Sequence, residues 1–430
     1  MTSEKNFVRD SLNFHSKHQG KIEVISKVSI KDKADLSLAY TPGVAEPCKE
    51  IYREREMVYE YTTKGNMVAV VTDGSAVLGL GNIGPEAALP VMEGKAVLFK
   101  FFGGLDAFPI CLNTQDADII VETVKLLIPT FGGINLEDIS APRCFYIEER
   151  LKQETDVPVF HDDQHGTAVV VTAGLYNAVK MTGRDMESLK VVINGAGAAG
   201  TAITKLLLYL GVKRITICDS AGIIYPGRSR DMNPYKEELA GLTFPLGEHK
   251  NINEEQRTLK AALKNSDVFI GVSAPGVLTG EMVQLMAPKP IIFALANPIP
   301  EIMPQEALAA GCGVVATGRS DFTNQINNVL VFPGVLRGAM EVRAKDINNE
   351  MKVRAAKAIA NLVTDQELSA GIIVPEVFDP RVAPNVAAAV AAAAVETGVA
   401  EREIKSREVY EKTQNMACSI GVGRDFLAKY

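Results

Sequence analysis

Short apolar runs separated by stretches with helical spacing recur along most of the chain. Between Thr41 and Val159, the runs Val68 to Thr72, Ala96 to Lys100 and Val157 to Phe160 read as strands, and Ala117 to Leu127 and Arg143 to Gln153 as helices between them. Such alternation predicts a mostly parallel sheet. Gly166 to Met181 reads as a helix closed by Gly183 that bridges to a second set of strands at Lys190–Asn194, Ile215–Asp219, Val268–Val272, Pro290–Ala296 and Gly313–Thr317. Residues 346 to 430 are predicted mostly helical, with an alanine-rich stretch from Asn385 to Glu396, and form a cap folding back on the first domain. Residues 1 to about 35 are polar with weak periodicity, an arm or a pair of short helices. The expectation is an α/β chain of two domains, 1–162 and 163–430, the second a doubly wound parallel sheet with a helical C-terminus.

One run is followed directly by chemistry. Lys190-Val-Val-Ile-Asn194 leads into Gly195-Ala-Gly197-Ala198-Ala199-Gly200 and then an apolar helix ending at Gly211. The G-x-G-x-x-G order supplies a tight turn, a close backbone approach to a pyrophosphate and a tight helix–strand contact. The helix start offers free N–H groups to the phosphates. Asp219 ends the next strand near the ~20-residue spacing expected of a ribose-binding acid. This marks a Rossmann-type dinucleotide domain. A second glycine pattern, Gly79-Leu-Gly81-Asn-Ile-Gly84, is followed by Pro85 and a helix that Pro90 interrupts, so it reads as a loop lining another pocket.

Bulk properties narrow the partners. At 430 residues the chain exceeds the ~250–300 residues of a single core, in line with two domains. A net charge of -7 offers no basic surface for nucleic acid or an anionic membrane, which favours a small-molecule substrate. With no membrane-length apolar run and a polar start at Met1-Thr-Ser-Glu, a cytoplasmic location is expected. The six cysteines lack metal or redox spacing and read as buried reduced thiols.

Candidate chemistry gathers at strand ends. Glu137-Asp138 and Asp162-Asp163 each follow a strand and precede a helix, the edge where open α/β sheets bind ligands. Their hard oxygens suit Mg²⁺ or Mn²⁺; solvated turns or helix caps are the plain alternative. His161 and His165 flank the second pair but lack the H-E-x-x-H order of a zinc helix. Lys95, at the start of the run Ala96 to Lys100, could have its pKa lowered by burial far enough to act as a base, or be an ordinary solvated lysine. Tyr40 precedes a Pro-Gly turn that would fix a phenol or simply a packing ring. Asn297 and the pair Asn327-Asn328 sit beside extended apolar segments, where amides bond a carboxamide or a carboxylate, or form Asx turns.

Together, Tyr40-Thr-Pro-Gly-Val-Ala-Glu-Pro47, Val71-Thr-Asp-Gly74, the Gly79 loop, Glu93-Gly-Lys95, Asn135-Leu-Glu-Asp138, Phe160-His-Asp-Asp-Gln-His-Gly-Thr167, the Gly195 loop and Asn297-Pro298 resemble malic enzyme of the small bacterial and archaeal kind, over about residues 20 to 400. The resemblance implies an N-terminal α/β malic-type domain followed by the Rossmann-type one. It also implies oxidative decarboxylation of (S)-malate to pyruvate and CO₂ with NAD(P)⁺ reduced. Position by position, Lys95 resembles the general base and Tyr40 the general acid. Glu137, Asp138 and Asp163 match the metal ligands, and Asp162 the acid beside the lysine. Asn297 and one of Asn327 or Asn328 match the substrate amides. Where the larger eukaryotic type carries an arginine after Thr72-Asp-Gly74, this chain has Ser75-Ala76. Asp219 argues for NAD, with NADP left open by Arg228 and Arg230; a homodimer or higher homo-oligomer is expected. The rivals are a malolactic outcome releasing lactate, a metal-free amino-acid dehydrogenase and a non-catalytic dinucleotide sensor.

Overall fold

A computed structural model describes residues 2–77, 79–243 and 257–419. The first sheet is entirely parallel, with β1 (Met67–Thr72), β2 (Asp106–Cys111), β3 (Gly133–Leu136) and β4 (Val159–His161) in the order β2-β1-β3-β4. Register pairs Val71 with Leu136, and Leu136 with His161, so three strands end level. The residues that follow them share one edge of the sheet. β2 escapes a pattern reading because Pro109 and Asp106 break its apolar run, and it lies at the sheet edge, where a strand tolerates proline.

The segment Ala96 to Lys100, expected as a strand, lies inside a helix spanning Pro85–Gly103. Its buried positions Ala88, Met92, Lys95, Ala96, Phe99 and Phe102 recur at helical spacing. Pro85 starts the helix at a position tolerant of proline, Pro90 removes a single backbone bond, and Gly104 ends it at φ 64°. This helix carries Lys95.

The second sheet contains β5 (Lys190–Asn194), β6 (Arg214–Asp219), β7 (Gly222–Ile223), β8 (Val268–Gly271), β9 (Ile291–Ala294) and β10 (Val314–Thr317), ordered β10-β9-β8-β5-β6-β7. All pairs are parallel except β6 with the short β7. Strand order reverses between β5 and β8, the crevice where doubly wound sheets bind ligands. The bridging helix, Thr167–Thr182, ends at Gly183 with φ 65° as expected.

One hydrophobic core runs through both sheets, joining Val68, Val70 and Phe160 of the first to Ile193 and Ile270 of the second through Val169 and Val171 of the bridging helix. The alanine-rich helix Val382–Glu396 packs closely because a Cβ on Gly338 would meet the backbone of Ala387. The Ser406–Ser419 helix lies on Pro85–Gly103, so the C-terminal cap does fold back on the first domain; residues 420–430 lie outside the described residues. The N-terminal arm holds one long helix, Thr2–His18, then the short Lys33–Ala39. Of the cysteines, Cys144 and Cys218 are buried and Cys48 is exposed; the side chain of Cys418 lies outside the described residues. Among the described residues, no helix is long and apolar enough to cross a membrane.

Candidate active site

The level ends of β1, β3 and β4 place Asp73, Glu137 and Asp162 side by side, and the Pro85–Gly103 helix brings Lys95 in beneath them. Lys95 Nζ lies 2.5 Å from Asp162 Oδ2 and 2.8 Å from Glu137 Oε1, with the Phe332 ring centre 4.2 Å away. Asn328, from the second domain, donates to the same Asp162 oxygen at 2.7 Å. Asn135 holds the other oxygen of Glu137 at 2.8 Å. Lys95, Glu137 and Asp162 are all buried.

Beside this group, one carboxylate oxygen each from Glu137, Asp138 and Asp163 fall within 4.8 Å of one another. Asp138 adopts φ 54°, a left-handed conformation uncommon for a residue with a Cβ, and its backbone N–H donates to Asp163 Oδ2 at 2.8 Å. Asp162 and Asp163 open a five-residue π-turn, Asp162–Gly166, of the wide kind often found at functional sites. Glycine is required at its end, since a Cβ on Gly166 would overlap Asp162 Oδ1 and crowd Asn328.

The electrostatics of this centre call for a cation. Burial, then neighbouring negative charge, pushes Asp138 up to about 9, and burial pushes Asp162 up to about 7 and Asp163 up to about 6 even against the charge of Lys95. Glu137 also rises, chiefly by burial. Asp138 Oδ2 and Asp162 Oδ1 are buried without a hydrogen-bond partner, each a cost of about 1–3 kcal/mol. Three hard oxygen donors with an orphaned carboxylate oxygen fit Mg²⁺ or Mn²⁺. Lys95 departs from expectation. Burial acts to lower its pKa, but Asp162 and Glu137 outweigh it and hold the ammonium above the ordinary lysine value.

The histidines are not among the clustered ligands, although His161 Nδ1 lies 3.8 Å from Asp163 Oδ2, beyond hydrogen-bond distance. His165 Nε2 lies 2.9 Å from Glu148 Oε2, and burial lowers its pKa to about 4, leaving a neutral ring. His161 is fully buried and also lowered by burial. Among the described residues, the clustered metal-ligating set contains carboxylates alone.

The dinucleotide loop follows its glycines. Gly195 has φ 119°, a Cβ on Gly200 would collide with the Gly195 carbonyl, and Gly197 faces open space. The helix Ala198–Tyr209 starts there without a side-chain cap, so its first N–H groups, from Ala198 and Ala199 onward, are available to a phosphate. Asp219, however, is already full. Arg228 donates to Oδ1 at 2.7 Å and Oδ2 at 2.5 Å, Lys236 to Oδ2 at 2.7 Å, and Ala221 N to Oδ1 at 2.9 Å. Two cations therefore neutralise the acid expected to bond a ribose.

Among the described residues, the Asn297 side chain makes a single 3.5 Å contact, with Leu295 O, and the residue lies near Gly79, which leaves its amide open to a ligand. Asn327 caps its own turn by accepting from Val329 N at 3.0 Å, so Asn328 is the amide that meets the lysine–acid pair. Tyr40 is not brought in. It ends the Lys33–Ala39 helix, 67% exposed, and its phenol makes no hydrogen bond among the described residues.

Three residues of the site escaped the pattern reading. Arg143 Nη2 braces the loop above the acids, donating to Asp73 Oδ2 at 2.7 Å and Ser75 Oγ at 3.0 Å. Glu148 reads in the sequence as an ordinary acid on a helix face, yet it is buried behind the π-turn. Lys352 lines a cavity of about 620 Å³ behind that turn, together with His165 and Gln164.

Comparison with known proteins gives the family. The family profile "Malic enzyme, N-terminal domain" matches residues 19–152, and "Malic enzyme, NAD binding domain" matches residues 164–395. A bifunctional malic/malolactic enzyme of Bacillus subtilis (strain 168) is 63% identical over 407 residues, covering 95% of this chain and 98% of its own. An NAD-dependent malic enzyme of Geobacillus stearothermophilus is 56% identical over 384 residues, covering 89% and 78%. The crystal structure of malic enzyme from Pyrococcus horikoshii Ot3 superposes with a TM-score of 0.89 at 46% identity, covering 98% of both chains.

Proposed function

The chain belongs to the malic enzyme family, and from that premise we propose that it oxidises (S)-malate to pyruvate and CO₂ with NAD(P)⁺ reduced. The observation that carries this reading is Lys95, held by Asp162 and Glu137 directly beside the three-carboxylate cluster.

Glu137, Asp138 and Asp163 hold the divalent metal in this reading, Mg²⁺ or Mn²⁺. Bound there, it supplies Lewis-acid polarisation of the C2 oxygen. The negative charges of Asp162 and Glu137 hold the Lys95 ammonium in the metal-free site; with Glu137 committed to the metal, Lys95 would pass its proton to Asp162, which burial raises to about 7, and then accept the hydroxyl proton of malate as hydride leaves C2 for the nicotinamide. Asn328 keeps Asp162 oriented for that exchange, and Asn297 binds a substrate carboxylate or the carboxamide of the cofactor. Loss of CO₂ leaves enolpyruvate, which needs a proton at C3. Tyr40 is the donor, and its exposure makes it the contribution of a second copy of the chain. Further exposed apolar side chains of the N-terminal segment, among them Val24, Ile25 and Leu38, suit a homodimer contact.

The division into a substrate domain, 1–162, and a dinucleotide domain, 163–430, falls between β4 and the bridging helix. Because Asp219 is neutralised by Arg228 and Lys236, it opposes a 2′-phosphate little, so the site accepts NAD and NADP alike. The relative from Bacillus subtilis is malolactic as well as malic by name, which keeps lactate release as a second reading.

Steady-state kinetics with malate test both readings, comparing NAD⁺ with NADP⁺ and Mg²⁺ with Mn²⁺, with the products identified. Pyruvate formed in step with reduced cofactor is expected. Malate consumed with lactate released and no accumulation of reduced cofactor would favour the malolactic reading. No consumption of malate under any combination would remove both.

A further inference from the structure

We propose that Glu148 is a positioning residue of the metal-holding turn, acting from behind it through Gln164 and His165. The inference rests on the metal reading above and concerns a residue that touches neither substrate nor metal ligand.

The π-turn has no side-chain cap at its start. Its open side is loaded with charge: Asp162 bonds Lys95 and Asn328, and Asp163 receives the Asp138 N–H. On its other side the next two residues, Gln164 and His165, both donate to Glu148 Oε2, at 3.0 and 2.9 Å. One buried carboxylate thus clamps two consecutive residues immediately after a metal ligand.

Glu148 lies on the helix Arg143–Glu154, which follows the loop carrying Glu137 and Asp138. It therefore links all three ligands: two through the helix on which it sits, and Asp163 through the turn that it holds. Lys352, from a helix of the second domain, brings its Nζ within 3.5 Å of the same His165 Nε2; that nitrogen is committed to Glu148, so Lys352 adds positive charge beside the Glu148 carboxylate rather than a hydrogen bond to the turn. Partners hydrogen-bonded to metal ligands themselves account for about 10–100-fold in metal affinity, and Glu148 acts one residue further out by fixing the turn that carries Asp163.

The experiment measures Mn²⁺ affinity of the metal-free protein by electron paramagnetic resonance, with dinucleotide affinity and circular dichroism alongside. Glu148→Ala is expected to weaken Mn²⁺ binding about 100-fold and Glu148→Gln, which keeps one acceptor oxygen, about 10-fold, with dinucleotide affinity unchanged. At saturating Mn²⁺ most of kcat should return, because Glu148 does not touch the reacting atoms. Should Glu148→Ala fail to fold, Glu148→Gln alone decides. Wild-type Mn²⁺ affinity in a folded Glu148 variant would overturn the inference, as would kcat that stays low at saturating metal. Wild-type protein that binds no Mn²⁺ would instead remove the metal reading itself, and this inference with it.

Discussion

Asn328 and Lys95 meet on a single oxygen, Asp162 Oδ2, at 2.7 and 2.5 Å, although they come from opposite domains. That shared oxygen joins the proposed base to the dinucleotide-binding domain. Lys95→Ala removes the base and leaves the fold of the dinucleotide loop intact. Malate oxidation should fall at least about 10³-fold, within the range of general acid–base catalysis, while NAD(P) binding by fluorescence stays unchanged.

The same carboxylate explains Gly166. A methyl group there would overlap Asp162 Oδ1 and push the carboxylate off the lysine. Gly166→Ala should lower kcat about 100-fold, since small displacements in a reacting site cost that much, with a loss of stability of about 1–3 kcal/mol by denaturant titration.

Crowding of the acids gives a pH dependence whose sign can be worked out. Asp138 titrates near 9 when folded but near 3.8 when unfolded, so between those values the folded state holds the extra proton. Stability of the metal-free protein from this group therefore falls as pH rises from about 4 to about 9. Saturating Mn²⁺ should reverse the trend, because binding favours the deprotonated acids. Thermal melts of wild type and Asp138→Asn across this range check it: the variant should show the flatter slope without metal.

How much of this was legible in the chain depends on the length of the pattern that each residue belongs to. Glu137, Asp138, Asp162 and Asp163 could be found because they sit where strand patterns stop, and parallel register brings such ends together. The Gly195 loop was legible for the same reason. The setting of Lys95 was not, since Ala96 to Phe99 is apolar in every position and only the longer spacing from Ala88 to Phe102 reveals a helix. Nor was the sign of its pKa shift, which depends on two acids distant in sequence. Glu148 and the Lys236 partner of Asp219 escaped because a buried ion pair leaves no trace in a hydrophobic pattern, whereas Arg228 was already a candidate to offset that acid.

Asp219 bears on cofactor choice. Arg228 is nearly inaccessible and committed to it, whereas Lys236 is partly exposed and can turn to a 2′-phosphate. Lys236→Gln should lower kcat/KM with NADP⁺ about tenfold, as loss of a charge-assisted bond does, and leave NAD⁺ nearly unaffected. The ratio of the two kcat/KM values is the measurement.

If Tyr40 serves the neighbouring copy, two inactive variants should complement. In a dimer that mixes Tyr40→Phe with Lys95→Ala, one of the two sites is intact. Random mixing of equal amounts should restore about a quarter of wild-type turnover in a symmetric dimer. A tyrosine acting within its own chain would restore none.

The central claim, that Lys95 works beside a cation held by Glu137, Asp138 and Asp163, is tested most directly by malate turnover after exhaustive chelation and again after Mn²⁺ is returned. The account predicts no turnover without metal, full recovery in the wild type and none in Asp163→Asn at the same Mn²⁺ concentration. Undiminished malate oxidation by the chelated wild-type protein would contradict it.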